Sequence, residues 1–203
     1  MMKAGILARR KLADDAFVPF VQEIVGEGSG SVAVPLGATS LVIQVWAPGG
    51  GGSRVTGALG YGAGAGAYST LTVTIEVADA GKLLLWTIYP PGQGRKGSTG
   101  NGVSPVAGAN GAGIASTTLA NWIGDINAHQ GESSTTTAYG GVSVASGGTT
   151  NTNGPAATSG TGALPANYPG NNVGKGGDGG FVSSGVQTDG QDGGPGMIRL
   201  SWS

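Results

Sequence analysis

Glycine recurs at every third residue in four separate stretches: Gly94, Gly97 and Gly100; Gly108 and Gly111; Gly174, Gly177 and Gly180; and Gly190, Gly193 and Gly196. Three residues per turn is the period of the polyproline II helix, which makes no hydrogen bonds within itself. Its N–H and C=O groups must therefore be satisfied by neighbouring segments, and glycine on one face lets those backbones approach closely. Because the runs lie far apart in the chain, they predict short extended helices packed side by side. Flexible linkers can share the composition. Collagen shares the period, but these runs stop after three glycines and carry no proline in register, which argues against a triple helix.

Disorder has to be weighed first in a chain where 43 glycines and 10 prolines make up about a quarter of 203 residues. Its usual signature is low hydrophobicity with high net charge. Here the net charge is −1 and 38% of residues are apolar, so a folded chain is expected. Ten scattered Lys and Arg give no electrostatic footprint for nucleic acid. No run of about 20 apolar residues is present to span a bilayer, and Arg9, Arg10, Lys11, Asp14 and Asp15 interrupt the stretch where a secretory signal would be apolar. With no cysteine and one histidine, His129, a disulfide scaffold, a thiolate site and a multi-histidine metal site are excluded. Any metal would be an oxygen-bound Ca²⁺ or Mg²⁺, and the eleven acids are too dispersed for an obvious cage, so no cofactor is expected.

Strand signals lie in residues 30 to 90 and 197 to 202. In residues 31 to 46, Val32 and Val34 precede a Pro35-Leu36-Gly37-Ala38 turn, followed by Leu41, Ile43 and Val45 alternating with Val42, Gln44 and Trp46. This predicts a hairpin whose second strand is covered on both faces. Ala67 to Val77 reads as a half-buried strand with Leu71, Val73, Ile75 and Val77 on one face and Thr70, Thr72, Thr74 and Glu76 on the other. Lys82 to Tyr89 is a third strand, and Met197 to Trp202 closes the sheet, so the end of the chain returns to pair with its beginning. The expected fold is an all-β antiparallel sandwich framework carrying a glycine-rich insertion, 91 to 196, of packed polyproline II-type helices and long loops. Residues 1 to 27 hold four of the ten basic residues and four of the eleven acids. They read as an attachment arm preceding a glycine-rich β domain of residues 28 to 203, or else as a frayed terminus.

The succession GSGSVAVPLGATSLVIQVWAPGGGG at 28 to 52, GAGAGAYSTLTVTIEV at 62 to 77, LLLWTIYPPGQG at 83 to 94 and GGPGMIRLSW at the end resembles the glycine-rich domain of bacteriophage tail and tail-fibre proteins, and is similar to the distal tail-fibre adhesins of T-even-like phages. The resemblance covers residues 28 to 113 and 174 to 203. Two departures are the Ala47-Pro48 before only four glycines and the stretch 114 to 173, which matches no pattern of the family. The resemblance implies a virion protein made in the host cytoplasm, with glycine helices carrying variable loops that touch the host surface. Its partners would be other virion proteins and a host surface glycan or outer-membrane protein, and related fibres suggest a homotrimer.

Residues 114 to 139 concentrate Trp122, Asp125, Asn127, His129, Gln130 and Tyr139. Aromatic faces stack on sugar rings or apolar protein patches, and Asn, Gln and Asp supply directed hydrogen bonds. Together with Tyr168, which lies between Pro165 and Pro169, these are the receptor-binding candidates. Trp122, Ile123 and Ile126 would serve equally well as a small satellite core. Ile6, Leu7, Arg9, Arg10, Leu12, Phe17 and Phe20 are the candidates for attachment to the virion. Catalysis finds little support. The carboxylate pairs Asp125 with Glu132 and Asp189 with Asp192 could be imagined for glycoside hydrolysis, but Asp-Gly dipeptides at 189 and 192 read more simply as turns. No Gly-x-Ser-x-Gly is present, and Gly94-Arg95-Lys96-Gly97-Ser98 has the wrong order for a phosphate loop. An adhesin and a purely structural virion component attached by its arm remain the two expectations, neither of them an enzyme.

Overall fold

The computed structural model describes residues 17–56, 60–92, 94, 113–115, 124–134, 138–183 and 186–203. Ile6, Leu7, Arg9, Arg10, Leu12, Trp122 and the glycine runs from 97 to 111 lie outside these residues.

The fold is all-β, with antiparallel sheets. The first sheet has five strands in the order β1 (Phe20–Val25), β13 (Met197–Trp202), β3 (Ser40–Trp46), β5 (Tyr68–Thr74) and β10 (Thr150–Thr152). The second has the order β2 (Gly28–Ala33), β6 (Leu83–Ile88), β7 (Gly113–Ala115), β8 (Ile126–Ala128) and β9 (Ala145–Ser146). A small third sheet sets β11 (Gly180–Ser183) between β12 (Val186–Thr188) and β4 (Arg54–Thr56), with the β11 to β4 pairing parallel.

Alternation along the strands builds the core. Leu41, Ile43 and Val45 of β3 and Ile198, Leu200 and Trp202 of β13 are buried against Leu84 and Ile88 of β6 and Ile126 and Ala128 of β8. Burying each such side chain contributes about 1.5–3 kcal/mol, so these ten positions dominate cohesion between the sheets. The return of the last strand to the middle of the first sheet is as the sequence predicts: β13 pairs with β3 from Met197↔Trp46 to Trp202↔Leu41.

Three expectations are corrected. The 31 to 46 segment is not a hairpin. Its turn forms, with Ala38 N donating to Pro35 O at 3.4 Å, but β2 pairs with β6 in the opposite sheet. The reason is shape, because the Trp86 indole lies over Gly28 and Gly30, and a Cβ on Gly30 would sit 2.8 Å from the ring. Val77 does not share the buried face of β5. A carboxylate oxygen of Asp79 accepts from Glu76 N at 2.8 Å, the chain turns there, and Val77 swings out to 90% exposure. Finally, the 91 to 196 stretch is not only loops and glycine segments, since β7, β8 and β9 complete the second sheet and Ile126 is fully buried in the core. Of the segment read as an arm, Phe20–Val25 belongs to the fold, where β1 is an edge strand paired with β13 and Arg199 bonds Glu23 at 2.7 Å.

Beyond the sandwich, strands continue into extended glycine segments that lie outside any regular sheet. Residues 47–53 run out from β3, 60–67 return into β5, 190–196 return into β13, and 129–134 run out from β8. In the central segment 60–67 the hydrogen-bond partner changes at each residue and repeats at every third. Gly60, Ala63 and Gly66 donate to Gly180, Gly177 and Gly174; Gly62 and Ala65 donate to Ser159 and Pro155; Gly64 and Ala67 donate to Glu132 and His129. Thus the period-three glycines 174, 177 and 180 each accept from one neighbour, in antiparallel order. Glycines 190 and 193 likewise lie against Gly52 and Gly49.

Glycine is required here for space rather than for conformation. None of Gly49, Gly52, Gly62, Gly64 or Gly66 has a positive φ, yet a Cβ on any of them would fall about 2 Å from a backbone carbonyl oxygen: 1.8 Å from Lys175 O at Gly49 and 2.0 Å from Gly141 O at Gly64. Ala63, Ala65 and Ala67 between them are fully buried. This lattice is cohesive through hydrogen bonds between backbones, each worth about 0.5–1.5 kcal/mol net, with almost no side-chain core.

Candidate functional site

The lattice has a near end, at the sandwich, and a far end where its segments turn back. At the far end β4 and the β11–β12 hairpin are joined by Arg54, which is 6% exposed and donates to Asp189 at 2.8 Å. Ser134, buried, donates to Tyr61 O at 2.7 Å and accepts from Ser53 N at 2.7 Å, and so ties the start of another turn to the same end. The turn Ser159–Thr161 sits on Gly62, whose N–H donates to Ser159 O at 3.0 Å. Beside it Tyr61 and Tyr139 meet edge to face, with ring centroids 4.8 Å apart and planes at 76°. Tyr139 is 43% exposed.

The predicted receptor-binding residues do not converge. Asp125 is exposed just ahead of β8, and Asn127 points outward between buried Ile126 and Ala128, so both belong to the outer surface of the second sheet. His129 has an exposed side chain, while its backbone N donates to Val144 O and its carbonyl accepts from Ala67 N. Gln130 turns into the lattice, with Nε2 donating to Gly49 O at 3.4 Å and a buried Oε1 that has no partner among the described residues. That geometry makes Gln130 a packing residue rather than a surface contact. Among the described candidates, Tyr139 alone reaches the far end. Tyr168 lies elsewhere again, on the loop that covers Trp46, and its hydroxyl accepts from Asn172 N at 2.9 Å. Of the attachment candidates, Phe17 and Phe20 pack on each other at 6.1 Å, Phe20 lies 6.3 Å from the Trp202 ring, and Phe20 is 43% exposed.

Both members of the Asp189 and Asp192 pair are engaged. Asp189 is bound to Arg54, and Asp192 Oδ1 accepts from Gly94 N at 2.6 Å, in keeping with roles in turns. Glu132 sits with its carboxylate at Gly141, where a Cβ would be 2.1 Å from Oε2. Among the described residues no group of three His, Cys, Asp or Glu could hold a metal ion, and no helix is long and apolar enough to cross a membrane.

Sequence reasoning overlooked Tyr61. The signal was present as Gly60-Tyr61-Gly62, a single large side chain in a run otherwise of glycine and alanine. The inner positions of this segment take only glycine, where no Cβ fits, and small buried alanine, so a tyrosine has to point away. No family model matches this chain, and no curated protein is similar enough to align with it.

Proposed function

We propose that the chain is a non-catalytic bacteriophage virion protein, a fibre, spike or tail-tip component, that acts as a host-surface adhesin. On this reading the glycine segments are polyproline II-type helices, and the sandwich is the base from which they project. The observation that carries the reading is the gathering of turns at the far end of the lattice. Ser53, Ser134, Ser159 and Gly180 all lie there, with Tyr61, Tyr139 and the Arg54–Asp189 pair. Loops on a rigid scaffold are where recognition residues concentrate, and tyrosine gives contact area at low entropic cost.

The test is binding of the full-length protein to a panel of intact bacterial cells. Tyr139→Ala, alone and with His129→Ala and Trp122→Ala, should weaken saturable binding about thirtyfold, the scale of one interface hot spot. The circular dichroism spectrum should be unchanged. Binding that survives these substitutions would remove the far-end site.

A second reading has its own observation. Val18, Phe20, Val21 and Val25 are 76%, 43%, 58% and 55% exposed along the free edge of the first sheet, immediately after the N-terminal segment. A structural virion component would use that edge to join its neighbours. If the protein binds no cell but assembles onto particles through residues 1 to 27, this reading replaces the first.

A further inference from the structure

Away from the far end, a recess of about 220 Å³ opens on the flank of the lattice, lined by Asn171, Asn172, Lys175, Gln191 and Asp192 together with backbone from Gly193 to Pro195. Its floor is hydrogen-bonded backbone: Gly194 N donates to Lys175 O at 2.7 Å, Lys175 N to Asn172 O at 3.1 Å and Gly174 N to Pro195 O at 2.8 Å. A side chain on Gly194 would fall 1.6 Å from Asn172 O, so the floor can be neither filled nor deepened by substitution there.

The walls are unusual in two ways. Asn171 and Asn172 have φ of 51° and 60°, in the left-handed region, between Gly170 and Gly174 at 93° and 67°. Glycine takes that backbone at least cost, whereas asparagine takes it at some cost and adds a carboxamide. Neither of these carboxamides, nor that of Gln191, has a hydrogen-bond partner among the described residues. Three free amides, each with two donors and one acceptor oxygen, therefore edge one small hollow. Tyr168 stands beside it, its hydroxyl holding Asn172 N.

Charge selects among ligands. The Lys175 ammonium is paired with Asp178 at 3.1 Å, and Asp192 keeps its negative charge while accepting from Gly94 N, so the lining presents no unpaired cation to hold an anion. The volume is below the roughly 300–1,000 Å³ of sites for drug-sized ligands. An uncharged, single-ring molecule rich in hydroxyls matches these features.

We propose that this recess is a saccharide-binding site that takes one neutral pyranose residue, with Asn171, Asn172 and Gln191 bonding its hydroxyls. It is separate from the far-end surface and stands or falls independently of it.

The experiment is an NMR titration of the full-length protein with the methyl glycosides of glucose, galactose and N-acetylglucosamine, with inorganic phosphate as the charged comparison. Saturable shifts of the Asn171, Asn172 and Gln191 side-chain amide signals with at least one glycoside, and not with phosphate, are expected. Asn172→Gly combined with Gln191→Ala should weaken that binding about tenfold, the scale of one or two lost hydrogen bonds. Glycine preserves the left-handed backbone, so the remaining spectrum should be unchanged. The proposal is overturned if these amides do not respond up to the solubility limit of each glycoside, if phosphate alone shifts them, or if the double variant binds as tightly as the native chain. Cell binding that is lost in Tyr139→Ala but kept in the double variant would separate the two surfaces.

Discussion

Gly64→Ala is expected to unfold the lattice, at a cost above about 3 kcal/mol, the upper end of what overpacking normally exacts. The added methyl would lie 2.0 Å from Gly141 O and 3.4 Å from Glu132 N, and both neighbours are backbone that cannot rotate away. Moving either strand would break the Gly64 N to Glu132 O bond at 2.9 Å and the Gly50 N to Gly64 O bond at 3.1 Å. Gly124→Ala is the comparison that isolates the cause. Gly124 has φ of 72° with nothing within 4 Å of its Cβ position, so alanine there costs only the left-handed strain, about 1 kcal/mol. Equilibrium urea unfolding of both variants checks this. Equal losses would mean that glycine serves conformation rather than close approach, and the lattice account would fail.

The second large effect is at Trp202, which is 2% exposed in the main core. Trp202→Ala should cost about 3–5 kcal/mol, the range for deleting a large buried aromatic. Trp202→Phe should cost far less than its lost area suggests, because Trp202 Nε1 is buried with no partner among the described residues. Removing that N–H relieves an unmet desolvation penalty of about 1–3 kcal/mol, which offsets part of the lost packing. Trp46→Phe should behave oppositely. Its Nε1 donates to Ala166 O at 3.3 Å and Asn167 O at 3.2 Å, and losing it gives up those bonds as well as packing. If denaturant midpoints placed Trp202→Phe below Trp46→Phe, the hydrogen-bond argument would be wrong.

The alternation of Leu41, Ile43 and Val45, and of Ile198, Leu200 and Trp202, was enough to predict an all-β core closed by the last strand, because a period of two sorts side chains to opposite faces wherever the strand pairs. The three-residue spacing of Gly174, Gly177 and Gly180 likewise announced a laterally bonded, threefold segment, and each of the three accepts from 60–67. Which strand pairs with which was not legible. The sheet that β2 joins turned on how Trp86 lies over Gly28 and Gly30, a contact between residues 56 positions apart for Gly30.

The candidate site was legible only in its chemistry. Residue type marked Tyr139, Tyr168 and Gln130 alike as recognition groups, but Gln130 turns into the lattice. Sequence proximity grouped Asp125 with Tyr139, whereas segment 129–134 carries the chain outward between them and sets them on different surfaces. Tyr61 became a neighbour of Tyr139, and Gln191 of Asn171 and Asn172, only through backbone pairing across the lattice. The strand alphabet and the glycine period were thus determined locally, by side-chain size and alternation. Sheet membership and the two candidate surfaces were decided by tertiary packing, because each depends on backbones brought together from distant parts of the chain.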